Sequence, residues 1–315
     1  MDLAPIIMFV YNRPWHTRQT LESLVKNKLA PHSIINIYLD APNPKATEED
    51  LIKIAEVKDL IYEKKWCGTV NIIENRENLG IDYQTPLRIN EILEKFDSII
   101  VIEDDCVLSP GFLKYMNDAL NTYKSDEKVM HVAGWIPPIK RAIPNLSFVQ
   151  GITYNWGWAT WKRAWENYNT DVEFLLAELK RGNVAKFDLN NSVGSYNYLK
   201  EVSVKPVKQQ NWDIIWHASV YLSGGLTLLP GKTLVNNIGL DGSGLHCTEE
   251  IQKIYGYKGT AKSINVKKIR VEENQKTRKV LEHFYTTMYA PKFSDKLKDK
   301  LKYEWKKLLG YFSKH

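Results

Sequence analysis

The 315-residue sequence predicts an α/β fold, a mostly parallel sheet flanked by helices, followed by a more irregular, aromatic-rich half. Three observations carry this expectation. Four short apolar runs alternate with helical patterns over the first third of the chain, an order that packs a parallel sheet between helices. The first of these runs is apolar throughout, as a strand buried on both faces is. Beyond residue 125 the alternation stops, and seven of the ten tryptophans fall between Trp135 and Trp216.

The elements follow in order. Residues 5–11 (PIIMFVY) form the first strand, and within 15–28 Leu21, Leu24 and Val25 recur at helical spacing. Residues 34–39 (IINIYL) are the second strand, ending at Asp40, and a loop with Pro42 and Pro44 follows. Residues 47–65 read as a helix with acids in its first turn and lysines in its last, the distribution that the helix dipole favours. Residues 69–74 (TVNIIE) are the third strand, 83–96 a helix, and 98–103 (SIIVIE) the fourth strand. Such sheets place ligands beyond the carboxyl ends of their strands. From 125 to 250, Pro and Gly leave only 174–181, 195–200 and 212–222 as short candidates. No linker or internal repeat divides the chain. Residues 1–255 are expected to form one domain, with halves at 1–124 and 125–255, and 256–315 a C-terminal extension.

Hydrophobic residues make up 43% and charged residues 25%, which excludes disordered and fibrous classes. The net charge is +6, and the segment 294–315 holds seven lysines against three acids. That is too little charge, and too local, for a nucleic-acid binder, so no nucleic-acid partner is expected. Cys67, Cys106 and Cys247 show no metal-binding spacing and cannot all pair, which points to a reducing cytoplasm. The N-terminal run ends in Asn-Arg-Pro and reads as a buried strand rather than a signal peptide. No stretch approaches the roughly 18 apolar residues of a membrane span. Leu297, Leu301, Trp305, Leu308, Leu309 and Phe312 recur at helical spacing, so 294–313 is expected to be a basic amphipathic helix. Its stripe either packs on the protein's own body or lies on an anionic membrane, which would make a cytoplasmic chain peripheral to the inner membrane face.

The strongest chemical signal is Glu103-Asp104-Asp105 directly after an apolar strand. Three adjacent carboxylates repel one another and lose hydration there, unless a hard divalent cation such as Mg²⁺ or Mn²⁺ takes their oxygens. The alternative is a solvated acidic turn. The other strands end at Tyr11-Asn12-Arg13, at Asp40 and near Asn78-Leu79-Gly80. Polar groups at the ends of several parallel strands converge on one crevice. An arginine beside a pyrophosphate, an acid beside a base or ribose, and a metal-binding carboxylate would suit a nucleoside diphosphate. Singly, each could be a loop residue or a helix cap.

Together, APIIMFVYNRPWHTRQTLESL, Asp40, ENRENLGI and VIEDDCVLSPGFLKYM resemble the GT-A-fold glycosyltransferases. The closest likeness is to bacterial family-2-like sugar transferases and the N-acetylglucosaminyltransferase I branch, whose metal motif has a Glu-Asp-Asp form. The likeness extends through GWATWKRAWENY, NWDIIWHASV and GLDGSGLHC. It implies a GT-A (Rossmann-like) sheet, a nucleotide-sugar donor, UDP-linked, bound by the front half, and a Mn²⁺ or Mg²⁺ cofactor. It also implies a glycan or lipid-linked acceptor at the second half, and inversion at the anomeric carbon. By this resemblance Asp105 is the metal ligand and His246 lies near the metal or diphosphate. Glu103, Asp104, Tyr11, Asn12 and Arg13 surround the donor, Asp40 reads the uracil edge, and Asn78 and Gly80 sit against the nucleoside.

Inverting transfer needs one carboxylate to take the acceptor proton and a cation to stabilise the departing diphosphate. Asp213 resembles that base; it could instead cap the helix that begins beside it. Asp171 and Asp241 come next. Trp156 and Trp158 are candidates to stack on the acceptor sugar, with Trp161 and Trp165 expected in the core. His16, His32, His131 and His283 show no partner pattern. Two other functions compete: a sugar nucleotidyltransferase, which would need a Gly-rich loop after the first strand, and a non-enzymatic carbohydrate-binding protein, which would not need the acidic triplet.

Overall fold

A computed structural model describes residues 3–242, 254–256 and 259–289. The first strand, β1 (Ile6–Val10), is buried along its whole length and pairs in parallel with β2 (Ile34–Leu39) on one side and β4 (Ser98–Glu103) on the other. β2 in turn pairs in parallel with β3 (Thr69–Glu74). The connecting helices are α1 (Pro14–Val25), α2 (Glu48–Tyr62) and α3 (Ile81–Leu93). α1 begins on a proline, whose fixed φ and missing N–H suit a first turn. α2 opens with a capping box in which Thr47 and Asp50 bond each other's backbone N–H groups.

The sheet then becomes mixed. β5 (Cys106–Leu108) and α4 (Phe112–Thr122) lead into β6 (Val129–Ala133), β7 (Leu146–Val149) and β8 (Trp158–Trp161). Four helices follow, α5 (Lys162–Trp165), α6 (Val172–Arg181), α7 (Val184–Phe187) and α8 (Ser195–Ser203). The last elements among the described residues are α9 (Trp212–Leu222), β9 (Leu226–Pro230), β10 (Val235–Asn237) and α10 (Gln275–Tyr289). The eight-stranded sheet has the order β3-β2-β1-β4-β8-β6-β9-β7. β8 and β7 run against their neighbours and the other strands run together. The expected α/β class holds, and the second half adds four strands to the same sheet. The candidates 174–181, 195–200 and 212–222 are all helical, and α6 to α9 bury a small core of their own around Leu175, Phe187, Leu199 and Ile215.

β5 pairs antiparallel with β10, with Cys106 opposite Asn237. Asp104 and Asp105 therefore occupy the junction where the chain leaves the large sheet and enters this ribbon. The C-terminal extension also packs on the body. Leu281, Phe284 and Tyr285 of α10 are buried in the main core, and Phe148 of β7 bridges to Glu273. Arg278, 6% exposed, binds Glu273 at 2.9 Å and Glu282 at 2.8 Å and donates to the carbonyls of Gln150 and Lys186. His246, Cys247 and the basic segment 294–313 lie outside the described residues. No helix among the described residues is long and apolar enough to cross a membrane.

Docking of α10 has a measurable consequence. Leu281→Ala should lower the free energy of unfolding by about 2–5 kcal/mol, the usual cost of a truncated core leucine. Exposed Met288, on the same helix, should cost no more than about 0.5 kcal/mol when changed to Ala. Urea denaturation of the two variants distinguishes a docked helix from an appended one, for which both changes would be small.

Candidate active site

β1 and β4 are neighbours, so Arg13, three residues past β1, arrives beside the acids that end β4. Its Nη1 lies 3.0 Å from Asp105 Oδ2 and 3.3 Å from Asp104 Oδ1. Asp104 and Asp105 are 8% and 7% exposed. Further bonds pin the turn. Asn237 Nδ2 donates to Asp105 Oδ1 at 3.2 Å, the Ile238 N–H to the Asp105 carbonyl, and the Thr20 hydroxyl to the Asp104 carbonyl. Gly239 closes the other side: a Cβ there would stand 2.0 Å from Asp105 Oδ2 and 2.2 Å from Arg13 Nη2. Only a glycine lets this backbone approach the pair so closely.

The electrostatics follow from burial. Desolvation pushes Asp104 up to about 7, against the pull of Arg13. Glu103 is raised well above the carboxylate range by desolvation, then by Asp105, Asp104 and Asp213, with Arg13 opposing. Asp213 is thus within electrostatic reach of the triplet although 110 residues separate it from Glu103 in the chain. It sits in the first turn of α9, where the helix dipole favours an anion, and its Oδ1 accepts the Ile214 N–H at 2.8 Å. The N-cap position belongs to Asn211. Of the second-choice acids, Asp171 caps α6 by accepting from Phe174 N. Asp241 takes the imidazole of His16 at 3.0 Å.

The nucleoside side of the crevice is built on Asp40, which is 3% exposed. Its carboxylate accepts from Asn75 Nδ2, Asn78 Nδ2 and the backbone N–H groups of Ala41, Leu79 and Gly80, at 2.8–3.1 Å. A carboxylate has about four lone-pair sites. In this geometry Asp40 shapes the 75–80 loop, and pairing with a nucleobase would require one of these bonds to be exchanged. Gly80 has φ +72 and ψ 154 with open space where a Cβ would lie. Its need for glycine comes from that backbone region rather than from crowding. Tyr11 accepts from Asn43 N through its hydroxyl, and Asn12 donates to Asp50. Tyr11 thus meets the loop between β2 and α2, and Asn12 the first turn of α2.

Trp158 is a correction to the sequence reading. It is 0% exposed, stacked on His131 at 5.0 Å and Trp212 at 5.5 Å, and cannot touch an acceptor. Its place in β8 puts it inside the sheet's packing layer. Trp161 and Trp165 are buried as expected. Trp156 is half-buried with its ring edge-on to Trp135 at 4.6 Å. Sequence reading passed over His16. It follows Arg13, the N-cap of α1, by three residues, which sets both at the first turn of that helix, and that spacing was the available signal. Burial first, then Arg13, lowers its pKa, while Asp241 opposes.

No family model and no curated protein matches this chain. Among solved structures, a mannosyltransferase from Pyrobaculum calidifontis in complex with GDP-Man and Mn²⁺ aligns at 14% identity, over 70% of this chain and 72% of that one, with a TM-score of 0.39. S. aureus TarS aligns at 12% identity and a TM-score of 0.41, over 74% of this chain but only 36% of TarS. A UDP-glucose pyrophosphorylase complexed with UDP-glucose aligns at 10% identity and a TM-score of 0.34, over 72% of this chain and 90% of that one. What the crevice does must follow from its own side chains.

Those side chains can hold a phosphorylated ligand. Nε and Nη2 of Arg13 are buried with no hydrogen-bond partner among the described residues, and such donors match phosphate oxygens. No group of three or more His, Cys, Asp or Glu among the described residues could hold a metal ion by itself. The donors fit the other mode, in which one or two carboxylates and the substrate's phosphates share a Mg²⁺ or Mn²⁺ ion.

The raised carboxyls make metal-free stability depend on pH. Between about 4, where an unfolded carboxyl titrates, and about 7 for Asp104, the folded chain holds protons that the unfolded chain has released. Asp104's contribution to stability should therefore fall as pH rises through that window and level off above it. Asp104→Asn removes one of these groups. In urea denaturation with EDTA, its gain over wild type should be larger at about pH 8 than at about pH 5; an equal effect at both would mean that Arg13 already keeps Asp104 charged.

Proposed function

We propose that this chain is a glycosyltransferase that moves a sugar from a nucleoside-diphosphate donor to a hydroxyl of a glycan or lipid-linked glycan. The observation that carries the reading is the Glu103-Asp104-Asp105 turn, with Asp104 and Asp105 buried against Arg13 and Asp213 acting on Glu103. We further assign a UDP-linked hexose or N-acetylhexosamine as donor and inversion as the outcome, in keeping with the family-2-like, N-acetylglucosaminyltransferase I resemblance. We place the reaction in the cytoplasm.

The residues divide the work. Arg13 has two unpartnered donors for the diphosphate, and its charge stabilises the negative charge that grows there as the anomeric C–O bond breaks. Asp105 would hold Mn²⁺ or Mg²⁺, which when bound adds a Lewis acid at the leaving group. Glu103, whose carboxyl is raised well above its ordinary range by desolvation and by Asp105 and Asp104, stands beside the donor. Asp213 takes the proton of the acceptor hydroxyl as that oxygen attacks the anomeric carbon from the opposite face. The Asp40-bound loop and Gly80 line the nucleoside end. The competing nucleotidyltransferase reading lacks its main part: only Tyr11, Asn12 and Arg13 separate β1 from α1, so there is no glycine-rich loop to wrap a triphosphate.

Two measurements test this. In thermal-shift assays with UDP, GDP and CDP, with and without Mn²⁺, one nucleotide with metal should raise the melting temperature by mass action. Asp105→Asn should abolish the metal-dependent part of the shift, read relative to the variant's own ligand-free melting temperature, because the change also removes a buried partner of Arg13. A shift by no nucleotide, or an unchanged shift in the variant, rejects the donor assignment. Separately, Asp213→Asn should cut turnover by roughly 10²–10⁴-fold, the usual worth of a general base, and leave nucleotide affinity as it was. Near-normal turnover would place the base elsewhere.

A further inference from the structure

Directly after β10 the chain crosses the acidic turn. Residues 238–241 form a strap that runs from Asn237, the end of β10, to the first turn of α1. The near end is held by three bonds. Asn237 Nδ2 donates to Asp105 Oδ1 at 3.2 Å, the Ile238 N–H to the Asp105 carbonyl at 2.9 Å, and the Gly239 N–H to Asn237 Oδ1 at 2.8 Å. Gly239 then passes so close to Asp105 Oδ2 and Arg13 Nη2 that a Cβ would collide with both. Leu240 is buried. The far end is Asp241, whose Oδ2 lies 3.0 Å from Nε2 of His16, 225 residues away in the chain.

His16 is 7% exposed and stands in the helical turn that Arg13 opens. That turn is pinned, because the Thr17 N–H and hydroxyl both donate to the Arg13 carbonyl, at 2.9 and 2.8 Å. One turn of α1 therefore supplies two anchors. Arg13 reaches the acids, and His16 reaches the strap that lies against them. Tied at Asn237 alone, the strap would be free to swing beside Arg13; the second tie fixes Gly239 between its two ends. Burial first, then Arg13, lowers the His16 pKa, with Asp241 opposing. The ring is thus neutral near pH 7 and donates Nε2–H to the carboxylate, a bond that an amide oxygen in the same place also accepts.

We propose that His16 and Asp241 are a positioning pair for the donor end: their contact holds the strap, and the strap holds the Arg13 guanidinium where a nucleoside diphosphate meets it, an assignment that rests on the glycosyltransferase reading above. Nε and Nη2 of Arg13 are buried without a hydrogen-bond partner among the described residues, and Nη2 is the nitrogen that Gly239 lies against. The path of the strap therefore sets the room for a phosphate oxygen at Nη2. Neither His16 nor Asp241 has to touch the ligand. The Asp241 charge also acts on Arg13, so charge and tie have to be separated experimentally.

Calorimetric titration of the full chain with UDP, GDP, CDP and inorganic pyrophosphate, each with Mn²⁺, makes that separation. It reads binding rather than turnover, so the outcome does not depend on which acid is the base. Asp241→Ala removes charge and tie together, whereas Asp241→Asn removes the charge and keeps an acceptor for Nε2–H. The alanine variant should bind the wild-type ligand roughly 3- to 10-fold more weakly, the worth of one hydrogen bond. The asparagine variant should bind as tightly as wild type. In a His16→Ala background, Asp241→Ala should cost nothing more. Asp241 keeps 43% of its side chain exposed, so its variants should fold even if His16→Ala does not. Hydrogen exchange of the ligand-free chain gives an independent reading. The Ile238 and Gly239 amides should exchange faster in Asp241→Ala and at the wild-type rate in Asp241→Asn. Equal affinities of the alanine and asparagine variants, additive losses in the double variant, or unchanged exchange in Asp241→Ala would each overturn the positioning role. If wild type bound none of the four probes, the donor reading would fall, and with it the role at the diphosphate, while the exchange rates would still decide whether the pair holds the strap.

Discussion

Everything about the crevice depends on holding two buried carboxyls, Asp104 and Asp105, next to half-buried Glu103 at the end of a central strand. An isolated buried carboxylate is costly enough that it either finds a cation or takes up a proton. This chain does both. Arg13 bridges Asp104 and Asp105, and desolvation keeps Glu103 and Asp104 inclined to protonation. The parallel pairing of β1 with β4 makes this possible, because it brings the end of one strand beside the end of the other. Gly239 must be small for the same reason, since its backbone lies against both partners.

The second half of the chain supplies the support. Trp158, Trp165, Trp212 and Trp216 form one buried aromatic group, tied to His131, whose Nδ1 accepts from the Trp216 indole. Burial holds His131 neutral, with its pKa lowered to about 3, as its role as an acceptor requires. This group fixes α9 on the sheet, and α9 carries Asp213. The tryptophan density noted in the sequence thus serves mainly to orient a helix.

The front half was legible because its signals are local. Apolar runs, capping residues and the acidic triplet each declare themselves within a few residues, and the order of strands and helices restricts the topology. The back half was less legible. β6 to β9 are short, and their pairing skips along the chain, with β8 between β4 and β6. No local pattern encodes which distant strand a four-residue segment will join. Trp158 illustrates the limit: its spacing suited a helix face or a sugar platform, and only pairing in β8 buries it.

The sequence by itself determined the α/β class, the strand ends on which the polar residues sit, and the chemical character of the acidic turn, because composition and short-range periodicity are properties of neighbouring residues. The tertiary structure decided which residues act together. It paired Arg13 with the acids, turned the Asp40 carboxylate onto its own loop, joined His16 to Asp241, and set Asn211 at the start of α9 beside Asp82 of α3, 129 residues away in the chain. The physical reason is that a hydrogen bond or a Coulomb interaction depends on distance in space, and here that distance is set by how strands pair across the sheet.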